Sequence, residues 1–208
     1  MITTQTQLRP TQPKTTLFYA IQQLIESVYR IDDLPNIAPF IRRAEARTDE
    51  RIERVVVSEH DNMMEIGVLF DRSLIDLGTS DVSVQLPSAS LNDLMMIVEG
   101  ISHYVYIAYR SRVEQPLRPI EMEFQADIDK FLSVLFLKPR LGIHPTTLMS
   151  LNSRQFSLRP NLSHVECRRY RDATVLASRY VAHLHARYYK QGKISQMIRE
   201  LRTLFRAT

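Results

Sequence analysis

Between Leu91 and Tyr109 the chain is apolar almost all the way round a helix, and this segment constrains the fold more than any other. At 100° per residue, Leu94, Val98, Ile101, Val105 and Ala108 make one face, while Met96 and Ile107 lie nearly opposite. A helix with no polar side is a buried one, so other elements have to cover it. Along it Glu99, His103, Tyr106 and Arg110 fall on one narrow stripe, with Glu99 and His103 at i, i+4. Polar groups taken into a core need partners.

The next helix offers them. Pro119 suits a first helical position, because its φ is already helical and its missing N–H is not needed there. The helix then runs from Ile120 to about Lys138. Glu123 and Asp127 stand at i, i+4, a like-charge pair that weakens a helix unless a cation lies between. Lys130 is within reach of Asp127, and His103 or Arg110 completes the set if the two helices run antiparallel, as short links favour.

Glu99, His103, Glu123 and Asp127 are also the ligand types of iron, manganese or zinc. The di-iron bundle pattern requires Glu-x-x-His from two helices, and neither copy is present. The expectation is a structural ion-pair network with no metal, cofactor or catalytic residue. A metal- or carboxylate-dependent helical enzyme built on these four residues is the alternative.

Residues 1–15, Thr- and Gln-rich with two prolines, read as a flexible arm. From Thr16, the spacing of Leu17, Ala20, Ile21, Leu24, Ile25 and Val28 predicts a helix, and a second short one is expected from Pro35 to Arg47. Val- and Ile-rich Ile52–Val57 and Met64–Phe70 flank turn residues and predict a β-hairpin over about 52–70. Asp71–Leu77 reads as a helical turn closed by Gly78, and Ser90 with Asp93 has the spacing of a helix start. Residues 139–162, with Pro139, Gly142, Pro145 and Pro160, read as an irregular connector. Ser163 and Glu166 have capping-box spacing and open a long helix to about Lys190; Gly192 breaks it before a last helix, Ile194–Arg206. The expected class is α+β, predominantly α-helical. An acidic helical body (16–138) carries one small antiparallel hairpin, and an Arg-rich C-terminal helical pair (163–208) packs on it as one domain.

Charge divides the chain. Residues 1–137 carry 13 Lys/Arg against 20 Asp/Glu, and residues 138–208 carry 14 against 3. Such asymmetry points to a polyanionic partner or to pairing between the two ends. Only five of the 27 basic residues are lysine, and the planar guanidinium fork suits contact with phosphate or carboxylate. On the long helix Tyr170, Ala173, Thr174, Ala177, Tyr180, Val181, Leu184 and Tyr188 share one arc, with Arg168, Arg171, Arg179 and Lys190 opposite. On the last helix Arg199, Arg202 and Arg206 form an outer stripe spaced about 5 and 10 Å along the axis.

These seven cations are the candidate contacts to nucleic acid or to an acidic protein partner. No groove-reading motif accompanies them, so phosphate contact is expected to dominate. The functional expectation is a non-catalytic interaction protein. Its longest apolar runs are too short to span a bilayer and residues 1–16 lack an apolar signal core, which suggests a cytoplasmic protein with no membrane partner. A homo-oligomer is compatible with the sequence. The single Cys167 excludes an internal disulfide and, although it lies near His164, Arg168 and Arg169, reads as a packed side chain. His183 and His185, at i, i+2, point to different sides of their helix and cannot chelate together.

Overall fold

The computed structural model describes residues 15–45, 52–61, 63–81, 91–141 and 163–207. In chain order these residues form α1 (Leu17–Tyr29), β1 (Ile41–Arg43), β2 (Glu53–His60), β3 (Met63–Phe70), α2 (Arg72–Gly78), α3 (Leu91–Arg112), α4 (Pro119–Leu141), α5 (His164–Arg187) and α6 (Ile194–Ala207), with 3-10 turns at Ala38–Phe40 and Tyr189–Gln191. The class is α+β and mostly helical. As its apolar circumference requires, α3 is central: Leu94, Ile97, Val98, Ile101 and Val105 are buried, against α1, α4 and the sheet. Helix α4 runs antiparallel to it, since Tyr106 meets Glu121, His103 meets Glu123 and Glu99 meets Lys130. Residues 1–14 of the expected arm and 142–162 of the expected connector lie outside the described residues, and α4 runs on through Pro139 to Leu141.

Over its described residues, 35–45, the helix expected from Pro35 to Arg47 does not form. In its place a 3-10 turn leads into β1, which pairs parallel with β3, Ile41 against Val68 and Arg43 against Phe70. Side chains from elsewhere capture the backbone that a helix would have used. Buried Gln22 donates to the Pro35 carbonyl at 2.9 Å and accepts from the Ile37 N–H at 2.8 Å, and Tyr104 Oη also donates to Pro35 O. Tertiary hydrogen bonds thus overrode local periodicity.

The hairpin is antiparallel with Val55 opposite Val68 and Glu53 opposite Phe70, and β1 on the far side of β3 makes the sheet mixed, in the order β1-β3-β2. Asp61, with φ 47°, turns the hairpin. Asp71 locks its open end: its carboxylate accepts from Ile52 N as well as from Ser73 N and Leu74 N, so one side chain both caps α2 and fixes the start of β2. The sheet lies so close to α3 that a Cβ on Gly100 would sit 2.6 Å from Phe70 Cζ and 3.2 Å from Glu53 Cγ. Only glycine admits this approach.

At the C-terminal end the capping box forms as expected, with Glu166 N donating to Ser163 Oγ and Ser163 N to Glu166 Oε2. Helix α5 buries Ala173, Ala177, Val181 and Leu184 and packs on α4. It ends at Arg187, short of Lys190, where the chain tightens into a 3-10 turn before Gly192 at φ 68°. Helix α6 docks on α1 through Phe205, whose ring stacks on Tyr29 at 4.3 Å and meets Tyr106 edge-on at 5.8 Å. Among the described residues no helix is long and apolar enough to cross a membrane.

Candidate functional site

Two arrangements carry chemistry: a cationic surface on α5 and α6, and a polar network buried between α3, α4 and β2. On the surface, Arg168, Arg171, Arg179, Lys190 and Arg199 are exposed, and Arg187 and Lys193 join them. Two members of the expected stripe are engaged within the fold. Arg202 Nε donates to Val28 O at 2.7 Å and its Nη2 to Ser27 O, while Arg206 Nη2 donates to Tyr29 O at 3.0 Å. They satisfy carbonyls at the C-terminus of α1, where cations are favoured by the helix dipole. Periodicity places Arg202 and Arg206 on an outer face; what it does not reveal is that α1 ends against that face.

The acids of this region are mostly engaged. Glu166 closes the capping box, and Glu200 accepts from Tyr188 Oη at 2.5 Å and meets His183 Nε2 at 3.1 Å. His185 instead stacks on Tyr189, so the two histidines diverge as their spacing requires. Cys167 is half-buried. Among the described residues no ion pair joins a cation of α5 or α6 to an acid of the body, and the i, i+4 pair of Arg168 with Asp172 does not form.

The buried network brings together all four residues singled out from the sequence and adds a fifth. His103 lies between two carboxylates, its Nδ1 3.7 Å from Glu53 and its Nε2 3.4 Å from Glu123. Lys130 Nζ bridges Glu99 at 2.7 Å and Asp127 at 3.0 Å, and Thr174 on α5 donates to the other Asp127 oxygen at 2.9 Å. Glu53, Glu99 and His103 each present a ligand-type atom within 4.8 Å of the other two. Glu53 has no signal in the sequence, because its strand reads as an ordinary hairpin arm; its arrival depends on the close approach at Gly100.

Electrostatics in this core are set by proximity. Burial disfavours the imidazolium of His103, yet Glu123 and Glu53 outweigh it and push its pKa up to about 10. Burial likewise opposes the Lys130 ammonium, but Glu99 and Asp127 prevail and hold it above its ordinary range. Arg110 does not join this group. It donates to Pro116 O at 3.0 Å, lies 3.9 Å from Glu121 and stands over the Tyr106 ring, tying the α3–α4 link.

A second polar cluster is fully internal. Asp129 accepts from Tyr29 Oη and Ser102 Oγ, both at 2.6 Å, and from Gln125 Nε2 at 3.0 Å, which joins α1, α3 and α4 through one carboxylate. Burial pushes its pKa up to about 6 even though those three donors and His103 favour the ionised form. What the core offers chemically is a set of oxygen and imidazole donors with one fixed ammonium, and what the surface offers is guanidinium. No protein-family model matches the chain, and neither do the curated proteins or the solved structures it was compared with, so both arrangements are read from their own geometry.

Proposed function

We propose that this is an interaction protein whose C-terminal helix pair binds the phosphate backbone of a nucleic acid. The observation that supports this reading is the set of exposed cations on α5, α6 and the turn between them (Arg168, Arg171, Arg179, Arg187, Lys190, Lys193 and Arg199), which no described acid of the body neutralises. Pairing of the basic end with the acidic body would require such contacts. The guanidinium groups of Arg168, Arg171 and Arg179 are spread over about 16 Å of helix axis, and duplex nucleic acid carries one charge per about 1.7 Å of its own.

Two aromatic rings of this region, Tyr180 on α5 and Tyr188 just past its end, are packed inward rather than offered as stacking platforms. Tyr188 is buried and Tyr180 packs beside Phe124. Binding is therefore expected to be tolerant of sequence.

The test is fluorescence anisotropy with labelled duplex DNA and RNA over a salt series. Each lost phosphate contact on a duplex flattens the log–log salt slope by about 0.9. Replacing Arg168, Arg171, Arg179 and Arg199 together with Gln should flatten it by about 3 to 4. Absence of salt-sensitive binding to either ligand would overturn the nucleic-acid reading and leave an acidic protein surface as the partner.

A further inference from the structure

We propose that Glu53, Glu99 and His103 form a binding site for one divalent transition-metal ion of the zinc, iron or manganese class. Glu99 and His103 are one turn apart on α3, and Glu53 reaches them from β2 because Gly100 lets the strand close in. The three donor atoms lie within 4.8 Å of one another. Two carboxylates and an imidazole are a donor set that these ions accept.

The second observation is the state of the histidine. His103 is 3% exposed, its Nε2 has no hydrogen-bond partner, and its Nδ1 stands 3.7 Å from Glu53, beyond hydrogen-bond range. A buried imidazole so placed is oriented by the charge of Glu123 and Glu53 on either side of it, and its Nδ1 faces Glu53 without a close hydrogen bond. With the metal on the Nδ1 side, Glu123 at 3.4 Å from Nε2 is the carboxylate placed to receive the other ring N–H once it tightens, the arrangement that fixes tautomer and ring plane in metal-bound histidines. The ion pair of Glu99 with Lys130 is compatible with this site, since a carboxylate has two oxygens and about four lone-pair positions, enough for an ammonium and a metal together.

The full-length protein, stripped with EDTA and dialysed, is titrated with Co2+ and Zn2+ and assayed by elemental analysis and visible absorption. The expected result is one equivalent of Co2+ with d–d bands that Zn2+ displaces. Glu53→Gln and His103→Gln should each weaken binding at least tenfold, while Asp129→Asn, outside the donor set, retains it. No uptake by the wild type, or equal uptake by folded His103→Gln protein, would overturn the site. If neither ligand variant folds, the imidazole 15N spectrum of the wild type decides. A Zn2+-dependent shift at the buried histidine supports the site, and an unchanged ring overturns it.

Discussion

Lys130 holds together two acids from different helices, and its removal is the sharpest test of the buried network. Lys130→Met would leave Glu99 and Asp127 facing each other without the ammonium between them, and breaking a buried pair from one side costs about 3 kcal/mol or more. Combined with Glu99→Gln it should show a coupling energy of about 1 kcal/mol or more by urea denaturation. His103→Gln with Asp127→Asn should couple less, because each of those side chains has its own partners. A different prediction attaches to Asp129, which is faced by Tyr29, Ser102, Gln125 and the charge of His103. Its pKa is raised in the fold, so its contribution to stability is complete below about pH 4 and is lost as pH rises through about 6. In that window this one group lowers unfolding free energy by at most about 1.4 kcal/mol per pH unit. The difference in stability between the wild type and Asp129→Asn, followed from pH 4 to 7, should carry that slope; a difference independent of pH would place the titration elsewhere.

At the scale of elements, what was legible in the sequence is what local chemistry decides. Pro119 begins α4, Ser163 and Glu166 close a capping box on α5, Asp71 caps α2, and the Val-rich arms pair as a hairpin. The segment from Pro35 to Arg47 has helical periodicity, but the backbone partners of its described residues are Gln22, Tyr104 and β3, all distant in sequence. The meeting of Glu99, His103, Glu123 and Asp127 is readable from the sequence because two antiparallel helices with polar stripes have few ways to face each other. That of Glu53 is not, because strand-to-helix contact has no short-range signature. The one residue that governs it is Gly100, inconspicuous in a helical run. Gly100→Ala should cost about 1–3 kcal/mol, as overpacking does, by pushing β2 away from α3. Leu94→Met on the same helix, a swap that nearly conserves volume, should cost less. Equal melting temperatures for wild type and Gly100→Ala would show that the sheet yields without strain.

Across the whole molecule the cations of the C-terminal helices divide into two sets, a division that sequence periodicity could not make because Arg199, Arg202 and Arg206 lie on one outer arc. Arg202 and Arg206 complete α1 by donating to the carbonyls of Ser27, Val28 and Tyr29, next to the Tyr29–Phe205 stack that seats α6. Arg168, Arg171, Arg179 and Arg199 make no such contact among the described residues and are open to a partner. The two sets should separate in one pair of measurements. Changing Arg202 and Arg206 to Gln removes hydrogen bonds from charged donors at a partly exposed site, so stability should fall by about 1 kcal/mol for each residue, with the salt slope of nucleic-acid binding nearly unchanged. Changing the other four to Gln should change the unfolding free energy by no more than about 0.5 kcal/mol for each residue, as for ordinary surface substitutions, and flatten the slope. If the Arg202 and Arg206 variant loses both stability and slope while remaining folded, these two side chains reach the ligand as well, and the contact surface extends over the α1–α6 junction. If neither variant changes the slope, the phosphate contacts lie outside the C-terminal helices, and the charge asymmetry of the chain has another purpose.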